Sequence, residues 1–484
     1  MMKKKQAYWL PFLSPCQPNA ALVFFAFTSI WLLGIANLTA EQTIPSPDSR
    51  PNIVLIMADD LGWKDLHCYG NKNLETPNLD QLAKQGMLFT DAYSASPVCT
   101  PTRAAMMTGE SPARLNITNH APGHPPGYQK PGTKIKTALW QRNLPLNRVT
   151  LAEQLKANGY ATGFVGKWHL SHQAKDSKGP TEPELRAEHQ GFDINIGGCS
   201  FGGPPSYFEP YRIPNIPHND QFNYLPERCS QECVSFIEAN QDKPFFLCWW
   251  NYSVHYPFQA PETLIKKYEE RKGPGIENPT YAAMIEGMDL SIGKLLKCLD
   301  RLRLTRSTLV IFTSDNGPFA ANVKPLRGEK GYLYEGGIRV PAIVKWSGKV
   351  KPNSICGTPI VSMDFHATIL DAADIEADPS NHPDGNSLTG LLTGTSSLNR
   401  DAIYFHYPNY AFHKKNRPGS AIRRGHFKLI KFYDDNSVEL YNLRDDLSES
   451  KDLSKSMPDK TTKLKNKLEK WISETDAKVP AATN

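Results

Sequence analysis

The run Asn52-Ile53-Val54-Leu55-Ile56-Met57-Ala58, followed at once by Asp59-Asp60, decides how this chain is read. Its apolar residues do not alternate with polar ones, as they do in a strand with one wet face. A continuous apolar run of this length suits a strand covered on both faces, as in a parallel sheet between helices. Residues 161–165, 245–250 and 308–313 have the same texture. Helical patterns lie between these runs. Thr76-Pro77 starts one, with Thr76 as cap and Pro77 in the first turn, and Gly86 ends it. Thr150-Leu-Ala-Glu153 reads as a capping box whose helix stops at Gly159. Residues 281–299 carry helical periodicity. The alternation predicts an α/β fold, with a large, mostly parallel central sheet flanked by helices.

The rest of the chain sets limits on this core. Its 484 residues are 40% hydrophobic and 21% charged, which is ordinary for a globular protein and excludes a disordered one. The net charge of +6 is spread along the chain and reads as solvated surface. No zinc-finger or RNA-binding motif accompanies it, so nucleic acid is not an expected partner. Residues 1–40 read as a signal peptide. Lys3, Lys4 and Lys5 precede an apolar stretch over 20–36, and Leu38-Thr39-Ala40 offers a cleavage site. That stretch is short for a membrane span and carries Thr28 and Ser29, so cleavage is expected rather than anchoring. The expected location is therefore periplasmic or secreted, with no stable membrane span in the mature protein. The nine cysteines form no dense disulfide framework and no Cys-x-x-Cys zinc pattern. Cys229 and Cys233, four apart, suit two packed small side chains on a helix better than a bridge.

After a Pro/Ser linker at 45–51, residues 50–395 read as the catalytic domain. Within it, residues 171–226 are rich in Pro, Gly, His and aromatics, a long loop region of the kind that usually serves function. The texture changes near residues 378–394. Residues 396–475 then read as a small α+β subdomain with an antiparallel sheet. Its strands are expected at 402–405, 426–432 and 438–441, and a final amphipathic helix at 460–472.

In open α/β sheets, ligands gather beyond the carboxyl ends of the strands. Those positions hold Asp59-Asp60, Gly166-Lys167-Trp168-His169, Asn251 to His255, and Asp315-Asn316. Asp59, Asp60, Asp315 and Asn316 are hard oxygen donors. Adjacent carboxylates repel unless a cation lies between them. Oxygen-only ligation points to Ca²⁺, with Mg²⁺ second. Taken singly, an Asp-Asp pair caps helices and Asp-Asn-Gly makes turns. Their joint placement after two apolar strands favours a metal. Cys99 precedes a helical segment from Pro101 to Thr108, closed by Gly109, and so sits near a helix N-terminus that favours an anion. Arg103 lies one turn further in. The residues alone leave two readings of Cys99 open: an inert buried side chain, or a thiolate nucleophile paired with His255 or His169.

Cys99-Thr100-Pro101-Thr102-Arg103 resembles the formylglycine signature of type I sulfatases, Cys-x-Pro-Ser/Ala/Thr-Arg, and residues 104–109 resemble its continuation. Five further stretches match that family in order. Residues 58–62 and 314–317 resemble its two metal segments. Residues 166–170 resemble its Gly-Lys-Trp-His motif, 255–261 its His-x-Pro segment, and 327–341 its Lys-containing glycine motif. The resemblance spans about residues 51–453, with departures at Glu110 and Ser171. It implies an alkaline-phosphatase-like superfamily fold similar to that of exported bacterial arylsulfatases and polysaccharide sulfatases. It implies that a formylglycine-generating enzyme oxidises Cys99 to formylglycine, whose hydrate attacks sulfur with one hydroxyl and expels sulfate with the other. It further implies Ca²⁺ held by Asp59, Asp60, Asp315, Asn316 and the modified Cys99. Arg103 and Lys167 hold the diol, and His169 takes the proton of its second hydroxyl. His255 protonates the leaving alcohol and Lys330 grips the sulfate.

The implied substrate is a sulfated carbohydrate. Residues 191–211 and 406–424 have the composition to line its pocket, with His406 and Arg423 as candidate binding groups. Two other readings use the same residues. One is a phosphate or phosphonate ester hydrolase of the same superfold. The other is a non-catalytic sulfated-glycan-binding protein, which requires missing catalytic residues, and none of the expected ones is missing.

Overall fold

β1 (Asn52–Ala58) is buried at every position and splits its side chains between two cores. Val54, Ile56 and Ala58 join one apolar cluster, and Ile53, Leu55 and Met57 the other. That division explains why the run does not alternate: both faces are dry. Each large aliphatic side chain so buried contributes about 1.5–3 kcal/mol. A computed structural model describes residues 50–483 except 174–178, 272, 274, 320, 322, 382 and 414. The signal-peptide reading of residues 1–40 lies outside them, as does most of the linker at 45–51.

The central sheet adds β2 (Met87–Tyr93), β3 (Ala161–Gly166), β4 (Ile194–Ile196), β5 (Phe245–Trp250), β6 (Thr308–Ser314), β7 (Arg339–Trp346), β8 (Ser354–Cys356) and β9 (Ile360–Val361). Its order is β9-β2-β7-β6-β1-β5-β3-β4, with β8 also on β2. β7 runs antiparallel to β2 and β6, and every other pairing is parallel. The register sets four strand ends nearly level. Ala58 pairs with Ser314, Met57 with Trp250, and Gly166 with Trp250. The residues that follow, Asp59, Lys167, Asn251 and Asp315, therefore leave the sheet along one edge.

Helices cover both faces. α1 (Pro77–Gln85), α4 (Leu225–Ala239) and α5 (Pro279–Arg301) pack on the first core, and α2 (Cys99–Thr108), α3 (Leu151–Ala157) and α6 (Met363–Ala372) on the second. The capping box of α3 forms as expected. Thr150 Oγ1 accepts the Glu153 N–H at 3.1 Å, and Glu153 Oε2 accepts the Thr150 N–H at 2.7 Å. Thr76 is different. It precedes α1, but its hydroxyl donates to Asp80 Oδ1 at 3.1 Å and accepts from the His67 N–H at 3.0 Å instead of capping the helix. The Asp80 carboxylate, one turn in, is the stronger local acceptor. The long loop region ends where the sequence suggests. α4 opens at Leu225 with Pro226 in its first turn, where a missing N–H costs nothing.

A second sheet, β10 (Ile403–Tyr407), β11 (Gly419–Arg424), β12 (Phe427–Phe432) and β13 (Val438–Asn442), is antiparallel throughout. β11 has no counterpart in the sequence reading, because Gly419, Ser420, Arg423 and Arg424 break its apolar pattern. α7 (Pro458–Glu474) packs Leu464 and Leu468 on one face, against Ile422, Leu429 and Leu440. The other face of this sheet, with Phe405, Ala421 and Ile430, meets Tyr93, Ala105 and Ile338 of the central layer. The eight cysteines among the described residues are free thiols. No helix among those residues is long and apolar enough to cross a membrane.

Candidate active site

Three carboxylates and three cations meet at the level edge. Lys167 Nζ donates to Asp59 Oδ2 at 2.6 Å. Lys330 Nζ donates to Asp60 Oδ2 at 2.8 Å. Arg103 donates to Asp315 Oδ2 from Nε at 3.0 Å and from Nη2 at 2.7 Å. Its Nη1 holds the Lys167 carbonyl at 2.5 Å, and its guanidinium lies 5.3 Å from the Trp250 ring centre. Asp59, Asp60, Asp315, Asn316, Arg103, Lys167 and Lys330 are all buried. Charges taken this far out of water persist only when paired and hydrogen-bonded.

Asp60 takes a left-handed backbone, φ +60°, with its N–H donating to Asp315 Oδ1 at 3.2 Å. Asn316 Nδ2 donates to Asp60 Oδ1 at 2.6 Å. The pairing is uneven. Burial, then the neighbouring Asp315 charge, push the Asp59 carboxyl well above its ordinary range. Against the effect of burial, Lys330 holds the Asp60 carboxyl below its range. Asp59 Oδ1 and Asn316 Oδ1 are buried without a hydrogen-bond partner. Two orphaned hard oxygens beside crowded carboxylates are what a divalent cation would satisfy, so the residues fit one. Ligand atoms of Asp59, Asp60 and His255 lie within 4.8 Å of one another.

Cys99 is the first residue of α2, which starts two residues before the helical segment read from the sequence. It lines a cavity of about 290 Å³ with Asp60, His169, His255 and Lys330. Burial pushes its thiol above the ordinary value, so an unmodified Cys99 is protonated near neutral pH. That disfavours the thiolate reading. His169, also in a left-handed backbone at φ +58°, bonds the Ala121 carbonyl through Nε2. Its Nδ1 lies 3.3 Å from Thr100 Oγ1. His255 Nδ1 lies 2.6 Å from the Tyr256 carbonyl, and its Nε2 lies 3.8 Å from Asp60 Oδ2. Burial lowers the pKa of both rings well below the ordinary value.

The loop after β4 closes on these rings. A Cβ on Gly202 would stand 2.9 Å from His169 Nε2, and one on Gly203 only 2.5 Å from His255 Nδ1. Only glycines let the backbone pass so close.

The structure thus gathers Asp59, Asp60, Cys99, Arg103, Lys167, His169, His255, Asp315, Asn316 and Lys330. It does not bring His406 or Arg423 to the cavity. His406, on β10, bonds Ser420 Oγ at 2.7 Å and the Lys478 carbonyl at 3.2 Å. Arg423, on β11, donates to Asp91 Oδ1 at 2.6 Å and to the Tyr93 hydroxyl. Both polar ends are consumed where the second sheet meets its neighbours. In their place the cavity wall carries Tyr256 of the His-x-Pro segment, Phe412 of the stretch 406–424, and His120 and Phe319, which no periodicity or motif marks in the sequence.

Known proteins share this fold. The family model described as Sulfatase matches residues 51–375. This chain belongs to the sulfatase family. A second model, N-sulphoglucosamine sulphohydrolase C-terminal, matches residues 328–478 of the sulfatase. A protein of Formosa agariphila named Sulfatase is 31% identical, over 93% of this chain and 94% of its own. Arylsulfatase A of Homo sapiens is 35% identical, over 78% of this chain and 74% of its own. The crystal structure of Ps i-CgsB in complex with k-i-k-neocarrahexaose superposes with a TM-score of 0.73 at 29% identity, covering 87% of this chain and 93% of that one. The fold is accordingly the alkaline-phosphatase-like fold of sulfatases, and the protein is an enzyme that hydrolyses sulfate esters.

Proposed function

We propose that this sulfatase is an exported enzyme that removes sulfate from a sulfated carbohydrate, using formylglycine made from Cys99 and a bound Ca²⁺. Mg²⁺ is the second choice of ion. The observation that carries the reading is the pair of orphaned oxygens, Asp59 Oδ1 and Asn316 Oδ1, in the carboxylate cluster beside a cavity that Cys99 lines. Asp59, Asp60, Asp315, Asn316 and the modified Cys99 would hold the ion. When bound, the cation polarises the sulfate and lowers the pKa of the attacking hydroxyl. Formylglycine supplies that hydroxyl as its hydrate, together with a second one through which the aldehyde is restored.

The chain's own residues divide the remaining work. Lys330 places a positive charge on the cavity wall for the sulfate oxygens, and Lys167 places another against Asp59. Arg103 fixes Asp315 and, through the Lys167 carbonyl, the strand end that carries Lys167. His255 gives its Nδ1 hydrogen to the Tyr256 carbonyl, which leaves Nε2 to carry a proton to the leaving oxygen. His169 gives its Nε2 hydrogen to the Ala121 carbonyl, so Nδ1 is its basic side and receives the proton of the second hydroxyl. Residues 50–395 form the catalytic part and 396–475 the C-terminal subdomain. A formylglycine-generating enzyme acts on the chain during maturation, and residues 1–40 direct export. A carbohydrate substrate is supported by the neocarrahexaose bound to the structurally similar Ps i-CgsB.

Mass spectrometry of the Cys99 peptide, with sulfate release from a panel of sulfated oligosaccharides, tests the reading. The expected result is an aldehyde in place of the thiol, and activity lost in Cys99→Ala. An unmodified Cys99 in enzyme that turns over phosphate esters faster than sulfate esters would overturn it.

A further inference from the structure

One wall of the cavity takes no part in the chemistry above. His120, Phe319 and Phe412 line it beside Cys99 and Lys330. Phe412 is 43% exposed, a large apolar side chain left in water at the cavity mouth. It is held edge-on by three rings, one of them the adjacent His413 at 5.2 Å and 84°. His120 lies 5.6 Å away at 88°, and Phe319 lies 5.0 Å away at 75°. Such pairs set the orientation of an aromatic face.

His120 is itself oriented from behind. Asn119 Oδ1 accepts from the His120 backbone N–H at 3.0 Å and from the Tyr407 hydroxyl at 3.1 Å, and His120 Nδ1 lies 3.2 Å from the same oxygen. An amide oxygen only accepts, so Nδ1 carries the hydrogen. Nε2 of the neutral ring is then a bare acceptor, and no described residue donates to it. A hydrogen-bond acceptor beside an exposed aromatic face suits a ligand that has hydroxyl groups on one edge and C–H bonds on its face. That is a pyranose ring. A plain aryl or steroid leaving group offers no hydroxyl next to its sulfate.

The geometry points to His120 and Phe412 as a clamp for the sugar ring that bears the scissile sulfate: His120 Nε2 accepts a hydrogen bond from a ring hydroxyl, and Phe412 packs against the C–H face. The clamp rests on the sulfatase reading and adds the recognition of the leaving group. His120 is a specificity-determining residue here, with Asn119 and Tyr407 positioning it.

The test compares 4-nitrophenyl sulfate, which has no hydroxyl, with a panel of monosulfated monosaccharides, in full-length enzyme carrying formylglycine. His120→Phe keeps the packing on Phe412 and removes the acceptor. It is expected to lower the ratio of kcat/KM for the best sugar to kcat/KM for the aryl ester about tenfold, mainly through KM. His120→Gln, which restores an acceptor, is expected to recover part of that ratio. Phe412→Ala is expected to raise KM on both substrates with kcat nearly kept. An unchanged ratio in His120→Phe overturns the clamp. So does a wild-type enzyme that cleaves the aryl ester and no sugar in the panel, an outcome that leaves the sulfatase reading standing. Failure on both substrates counts against that reading itself, and the clamp falls with it.

Discussion

Lys330 Nζ stands 2.6 Å from one carboxylate oxygen of Asp60 and 2.8 Å from the other, in a site where neither side chain is more than 3% exposed. The ammonium neutralises Asp60 while remaining on the cavity wall, where a sulfate would also need it. Against burial, Asp60 in turn holds the lysine above its ordinary pKa, so its charge persists across the working pH range.

Replacing that charge separates the two roles. Lys330→Ala is expected to lower kcat for sulfate release by about 10²–10³-fold, as for loss of one preorganised electrostatic contact. A loss of only a few-fold, with a native circular dichroism spectrum, would remove Lys330 from the machinery.

On the proposed metal site, the orphaned oxygens of Asp59 and Asn316 are expected to make stability depend on the ion. Chelation is expected to abolish sulfate release and lower the melting temperature, and Ca²⁺ to restore both. At about 100 times its dissociation constant, the ion adds ~2.7 kcal/mol. Asn316→Ala should lose most of that calcium-dependent gain. A melting temperature indifferent to Ca²⁺ in the wild type contradicts the site.

Gly203 offers a purely steric test. A methyl group there would stand 2.5 Å from His255 Nδ1, the nitrogen bonded to the Tyr256 carbonyl. Gly203→Ala is expected to shift the ring and cost about 10²-fold in kcat/KM, the usual penalty for a displacement near 1 Å. Gly357→Ala, exposed and with only Thr90 Oγ1 in contact range at 3.6 Å, should leave activity unchanged. Equal rates for the two variants would mean that the loop adapts and does not set the ring.

A buried ion cluster where the two sheets meet predicts a pH effect on stability. Lys428 Nζ lies 3.0 Å from Glu335 and 2.9 Å from Glu449. Burial outweighs the pull of Lys428 and pushes the Glu449 carboxyl from 4.5 up to about 7. A carboxyl raised in the folded state binds its proton more tightly there than in the unfolded chain. Its contribution is therefore complete below pH 4.5 and is lost as pH rises towards 7. Glu449→Gln should flatten that decline, by at most about 1.4 kcal/mol per pH unit. Urea midpoints at pH 5, 6 and 7 measure it, and identical slopes in variant and wild type refute the assignment.

What was legible in the sequence follows from burial. β1, β5 and β6 are dry on both faces, and their apolar runs mark their positions to within a residue. β7 is equally buried but carries Arg339 and Lys345, whose tips reach Asp91 at 3.0 Å and Gln85 at 2.6 Å. The charges hide the strand, although in the fold Asp91 pairs with Arg339 and the Gln85 amide oxygen accepts from Lys345. The residues of the carboxylate and lysine cluster were readable because most of them directly follow a strand. Phe412 falls in the stretch 406–424 whose composition suggested a pocket wall, but His120 was not readable, since a loop places it through contacts such as Tyr407 with Asn119, which no local pattern encodes. His406 and Arg423 mislead for the opposite reason. Their chemistry suits a sugar, but strand pairing buries it elsewhere.

The level ends of β1, β3, β5 and β6 have one more consequence. Groups anchored there cannot drift without shifting the register of the sheet, and with it both apolar cores. Groups on the loops answer to no such constraint. The molecule therefore keeps its bond-breaking apparatus under structural lock while leaving its choice of customer free to evolve.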